Sequence, residues 1–173
     1  KLKTAKNYDR VLLDLGAGVD AAVMRFAASA DDVLLVLTPD PAALTDAYAF
    51  VKILQRMTKN RLPQLLVNMA SSEAEARRTA DALTATCDAF LKVRPDYLGA
   101  IPRDPNALEA VRRQAALLTL YPQSQAASAT TAATRSVRKT PENRARLPSV
   151  SGSASRVSAT SPIAIDPSAR FDA

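Results

Sequence analysis

Val11-Leu12-Leu13-Asp14-Leu15-Gly16-Ala17-Gly18 is the stretch that decides the fold. A run of branched apolar residues ends in a carboxylate, and two glycines spaced one apart follow at once. Such a chain leaves a buried strand and turns sharply beside a negative charge. At the mouth of a parallel sheet, Asp14 is placed to hold a Mg²⁺-bound water, and Gly16 and Gly18 let backbone approach a phosphate with no Cβ in the way. The plainer alternative is a buried strand whose terminal Asp caps the next helix.

Outward from this stretch the same alternation repeats. The strand from Arg10 to Leu15 leads into a helix whose apolar face is Val19, Val23, Phe26, Ala27 and Ala30. Val33 to Leu37 is a continuous aliphatic run, expected of a parallel strand covered on both faces. Thr38-Pro39-Asp40-Pro41 then places a capping carboxylate before a proline that has no amide hydrogen to leave unpaired. The helix this opens runs to about Lys59, burying Leu44, Val51, Leu54 and Met57. A third strand spans Gln64 to Met69. Ser72 and Glu75 form a capping-box pair for a helix that buries Ala76, Ala80, Leu83, Cys87 and Phe90. Tyr97 to Ile101 is a fourth strand, and Asp104-Pro105 repeats the cap-plus-proline device before a helix with Leu108, Val111, Ala115 and Leu118 inward. Strand and helix alternate four times, with connections too long for hairpins. The fold class is therefore α/β, a parallel sheet with helices on both faces and right-handed crossovers. Ligands of such sheets bind outside the carboxyl ends of the strands, and that edge carries Asp14, Thr38, Asn68 and Pro102.

Composition narrows the chemistry. The chain has one cysteine and no histidine among 173 residues. That excludes a disulfide framework, the usual Zn²⁺ sets and Ser/His/Asp or Cys/His catalysis, and Cys87 within its apolar stripe reads as core. No apolar run approaches the ~20 residues of a membrane span and no signal sequence opens the chain, so the expected location is cytoplasmic. Lys1 in place of methionine suggests a sequence that starts mid-protein. After Tyr121 the composition shifts: Ala, Ser and Thr make up 26 of 52 residues, and only seven are Leu, Ile, Val or Phe. The expected division is a folded domain over 1–121 and a disordered basic tail over 122–173. Arg135, Arg138, Lys139, Arg144 and Arg146 cluster there and would suit an anionic partner, or serve as a solvated linker. No apolar face is available for a membrane helix.

Over roughly residues 7 to 122 the chain resembles the MinD/ParA class of deviant P-loop ATPases. The residues Tyr8 to Gly18 resemble its switch II and Walker B region. Thr38 to Tyr48, Val67-Asn68-Met69 and Tyr97 to Asp104, followed by Val111-Arg112-Arg113-Gln114, sharpen the likeness to the flagellum-number regulators of the FlhG/FleN type. The resemblance implies ATP and Mg²⁺ as ligands. It makes Asp14 the Walker B carboxylate, acting on the metal through water, and Gly16 to Gly18 the switch that senses the γ-phosphate. Asn68 would hydrogen-bond the adenine edge, and the loop Pro102 to Asp104 would close over the base. It further implies a homodimer in the ATP state, flagellar assembly or basal-body partners, and a place in the cytoplasm or at the inner membrane face. The chain departs from the family in one large respect. Its four glycines, at 16, 18, 99 and 152, include no G-x-x-x-x-G-K-[ST] loop. In the family the strand that precedes that loop lies between the strand ending at Asp14 and the one ending at Thr38. The alternative to an ATPase portion is therefore an interaction module that has lost nucleotide binding.

Overall fold

The computed structural model describes residues 11–58 and 61–137. They divide after Asp14, and Leu15 onward forms a compact unit of its own. Within that unit the order is α1 (Ala21–Ser29), β1 (Leu34–Leu37), α2 (Pro41–Thr58), β2 (Gln64–Ala70), α3 (Glu73–Leu91), β3 (Asp96–Pro102), α4 (Pro105–Arg112), α5 (Leu117–Leu120) and α6 (Gln125–Val137). The three strands form one sheet in the order β1-β2-β3, parallel throughout.

β2 is the centre. Leu65, Leu66 and Val67 are consecutive and all buried, so both faces of this strand are covered. On the odd-numbered face, Leu37, Leu65 and Val67 pack with Ala47 and Val51 of α2 and with Ala76, Ala80, Leu83 and Cys87 of α3. α1 extends this layer by setting Met24 and Ala27 against Phe50 and Leu54, with Val33 and Leu35 beneath. Arg61 fastens α1 from below by donating to the carbonyls of Ala28 and Ala30. α6 lies on β3.

Local chemistry explains the element ends. Ser72 Oγ accepts the Glu75 N–H at 3.2 Å, the first half of a capping box. The second half is displaced by one residue. Glu75 reaches past the cap to the N–H and hydroxyl of Ser71, at 2.6 and 2.7 Å, which holds its carboxyl below the usual range. At the other end of α3, Lys92 takes the left-handed conformation (φ 59°) and its N–H bonds Asp88. β3 carries two irregularities in its register with β2. At one of them Leu98 is the extra residue and Gly99 adopts φ 152°, a conformation side chains rarely take.

Three expectations are corrected. The stretch from Val11 to Gly16 is not a strand, and among the described residues the sheet has three strands rather than four. A strand needs a neighbour to pair with, and among the described residues no strand pairs with this stretch. Leu12 is accordingly 94% exposed. Secondly, Leu108, Val111 and Leu118 do not point inward. All three are exposed and Ala110 is the buried residue of α4. The helix stops at Arg113, because Gln114 turns to φ 49° and breaks the period before Leu118 is reached. Met57 and Phe90, assigned to buried faces, are also exposed. Each lies in the last turns of its helix. Thirdly, regular structure does not end at Pro122. α6 occupies 125–137 and buries Ala126 and Ala127. The compositional argument weighed large aliphatic residues, whereas this helix packs through small ones that lose almost no side-chain entropy. Ser124 Oγ accepts the Ala127 N–H, and Thr130, Thr131 and Thr134 donate their hydroxyls to carbonyls four residues back, so its polar groups are satisfied locally. The rest of the expected tail, including Arg138, Lys139, Arg144 and Arg146, lies outside the described residues.

Candidate functional site

The carboxyl ends of the three strands bring Thr38, Asn68 and Pro102 to one edge. At the end of β1, the Thr38 hydroxyl donates to Asp40 Oδ2 at 2.7 Å, and the Asp40 carbonyl accepts the Leu44 N–H in the first turn of α2. The ends of β2 and β3 are joined more closely. Asn68 pairs with Ile101 and Ala70 with Pro102, and the Arg103 N–H then donates to the Ala70 carbonyl at 2.9 Å. Met69 is the residue in excess, at φ 59°, so the backbone kinks immediately beyond Asn68. That kink aims the Asn68 side chain. Its Oδ1 accepts the Met69 N–H at 2.9 Å, which fixes the amide plane and makes the NH₂ end the one that offers hydrogens to an acceptor such as a ring nitrogen.

Asp104 is the helix cap that the Asp104-Pro105 pair predicts, and it makes a second bond besides. Oδ1 accepts the Asn106 N–H at 2.9 Å, which caps α4, and Oδ2 accepts the Ala126 N–H at 3.0 Å, in the first turn of α6. These bonds, that to Ala126 foremost, hold its carboxyl below the ordinary range. The carboxylate is therefore engaged in shaping the loop, and Pro102 is the member of the loop that presents an apolar ring at the edge. The bond to Ala126 had no signal in the sequence, because it joins residues 22 positions apart through a backbone amide.

Asp14 falls in the other unit, and the edge just described is built from the unit beginning at Leu15. Asp14 is exposed. It is not the cap of α1, which disposes of the plainer alternative: Asp20 holds that position, accepting from the N–H groups of Ala22 at 2.8 Å and Val23 at 3.1 Å. Gly18, between the two aspartates, has φ 105°, so this glycine is required by the turn. Among the described residues no three carboxylate or thiol side chains gather as a metal site. A Mg²⁺ ion bound with a nucleotide needs only one or two carboxylates beside the phosphates and water, so a single Asp14 fits such a metal. Cys87 is fully buried and burial pushes its thiol up to about 11, as befits a core residue. A concavity of about 450 Å³ lies elsewhere, on the outer face of α3, where Asp88 pairs with Arg94 at 2.6 Å. It contains none of the residues assigned to the edge.

Similarity to known proteins agrees with this architecture. No family model matches the chain. It is 40% identical over 126 residues to the antiactivator FleN of Pseudomonas aeruginosa, covering 71% of this chain and 44% of that protein. It is 35% identical over 117 residues to the flagellum site-determining protein YlxH of Helicobacter pylori, covering 67% of this chain and 39% of that one. Among solved structures, the MinD cell division protein of Aquifex aeolicus superposes with a TM-score of 0.62 at 24% identity, over 79% of this chain and 56% of its own; this likeness concerns the fold. The chain spans less than half the length of these two curated relatives. By its similarity to these relatives, and with the parallel sheet they share, the chain belongs to the MinD/ParA class of deviant P-loop ATPases. Within that class it is of the flagellum-number-regulator, FlhG/FleN, type.

Proposed function

We propose that this chain is the base-binding and Walker B portion of an ATP-hydrolysing regulator of flagellar number or placement, one that forms a homodimer around ATP and acts on flagellar assembly or basal-body proteins. The observation that carries the reading is the 40% identity to FleN over 126 residues. The edge supports it, since Asn68 and the Pro102 loop are joined side by side there.

Bound ATP and Mg²⁺ supply the phosphoryl group and the cation that neutralises its charge. What the chain contributes is position. Asn68, its amide plane set by Met69, offers a hydrogen bond to the base, and Pro102 covers the base with an apolar ring. Asp104 holds that loop in shape from behind. Asp14 would hold the metal through a water, and Gly16 and Gly18 would let the backbone come close to the terminal phosphate. Because the amides of a glycine-rich phosphate loop do most of the holding in this class, the chain by itself binds ATP no tighter than about millimolar, near −4 kcal/mol.

The test is steady-state hydrolysis by the gene product that carries these residues together with a phosphate loop. Asp14→Asn removes the charge that orients the water, so turnover falls while much of the nucleotide affinity stays. Asn68→Ala weakens ground and transition states alike, raising KM by the equivalent of about 1–2 kcal/mol with little change in kcat. Near-normal turnover of Asp14→Asn would sink the Walker B assignment. Absence of a phosphate loop from the gene product would favour the alternative of a nucleotide-free interaction module.

A further inference from the structure

Asp104 joins the Pro102–Asp104 loop to the C-terminal helix, and each of its two oxygens serves a different element. Oδ1 caps α4 through Asn106 at 2.9 Å, and Oδ2 holds the Ala126 amide of α6 at 3.0 Å. The loop is held on its other side by backbone, through Arg103 N–H to the Ala70 carbonyl at 2.9 Å, two residues beyond Asn68. α6 in turn lies on β3, the strand whose end becomes this loop, and it buries Ala126 and Ala127 completely or nearly so. Ser124 fixes the start of that helix from within its own turn, and its side chain also bonds the Asp104 carboxylate. A rigid body that rests on a strand and is bonded to the loop leaving that strand cannot shift without moving the loop. Arg135, in the last turn of α6, begins the basic cluster that runs to Arg146 in the sequence.

We propose that Asp104 is a latch between α6 and the Pro102–Asp104 loop, so that seating of the C-terminal helix and the geometry of the base edge form one coupled equilibrium. Any partner that draws on the helix or on the basic segment that follows it is then felt at the base edge, and by reciprocity a ligand seated under the loop favours the docked helix. Asp104 acts here as a positioning residue. The consequence for a nucleotide rests on the reading given under Proposed function, whereas the latch itself does not.

The experiment is amide hydrogen exchange, residue by residue, on the whole 173-residue chain without ligand. Asp104→Ala speeds exchange at Ala126 by about tenfold, the scale of one lost hydrogen bond to a charged acceptor, together with exchange at Asn106. A residue acting only as the α4 cap would move Asn106 and leave Ala126 unchanged. The decisive variant approaches from the far side. Ala127→Glu places a charge at a fully buried position of α6, and it must speed exchange at Arg103, whose own partner, Ala70, is untouched. Unchanged exchange at Arg103 with α6 displaced overturns the latch. Should Ala127→Glu prevent folding, Ala127→Val crowds the same buried position more mildly and must show the same pattern in smaller measure. A titration of the wild-type gene product with adenosine triphosphate separates the two readings: failure to bind breaks the nucleotide assignment alone, and exchange at Arg103 still decides the latch.

Discussion

β1 and β2 are built from nearly the same residues and meet opposite fates. Leu34-Leu35-Val36-Leu37 and Leu65-Leu66-Val67 are both unbroken aliphatic runs, and they lie side by side in register. In β2 every one of these side chains is buried, whereas in β1 Leu34 and Val36 remain 42% and 52% exposed. The difference comes from neighbours. β2 has a strand on each side and cover on both faces, while among the described residues β1 has one strand beside it and helices only on the face of Leu35 and Leu37. An aliphatic run states what a strand can be surrounded by, and its neighbours decide what it is surrounded by. β1 also lacks the lysines, prolines and bulges that usually guard an edge, so it has the composition of an interior strand at an edge position.

The comparison breaks most sharply at the centre. Leu65→Ala should cost about 2–5 kcal/mol of unfolding free energy, since it leaves a cavity among α2, α3 and the sheet, whereas Val36→Ala should stay within about 0.5 kcal/mol. Urea unfolding followed by circular dichroism measures both, and equal losses would mean that β1 is as enclosed as β2. A charge sharpens the point: Val36→Lys should leave unfolding stability nearly unchanged and reduce self-association on light scattering, because it guards the open strand. Leu66→Lys should fail to give a cooperative fold.

The carboxyl end of the sheet responds to acid. The Asp104 carboxyl is held below its ordinary value by the amides of Ala126 and Asn106, so the folded state binds its proton less readily than the unfolded chain does. Its contribution is present above the ordinary value near 3.8 and is lost as the pH falls through the depressed one. Glu75, depressed by its bonds to Ser71, adds in the same direction. Acid unfolding monitored at α6 should begin at higher pH in a variant with either carboxylate replaced by alanine than in one with Val36→Ala. The smallest effect is chemical. Cys87, beneath β2 and raised to about 11, should stay unreactive to thiol reagents at neutral pH until the chain unfolds. Reaction of the native chain at the rate of a free thiol would mean that this layer opens locally.

Much of the architecture was legible because its signals are local. The Asp104-Pro105 start, the Ser72 cap, the aliphatic strands at Leu34–Leu37 and Gln64–Ala70 and the core position of Cys87 each follow from a few adjacent residues, whose capping bonds or side-chain period act over one or two turns. The edge residues Asn68 and Pro102 were legible for a related reason: a parallel sheet puts its strand ends together whatever its details. Four things needed the tertiary structure. Val11 to Leu15 has the residues of a strand, yet pairing depends on a neighbour that no local pattern supplies. The apolar period across α4 and α5 promised a buried face, but a left-handed residue at Gln114 breaks it between the two helices, and Leu108 and Val111 are exposed. The kink at Met69 that orients Asn68 arises from the register between two strands. The alanine-rich α6 forms because β3 offers a surface for small side chains and Asp104 offers an oxygen for its first turn. Both are contacts between residues far apart in the chain, whose free energy exists only once the sheet has brought them together.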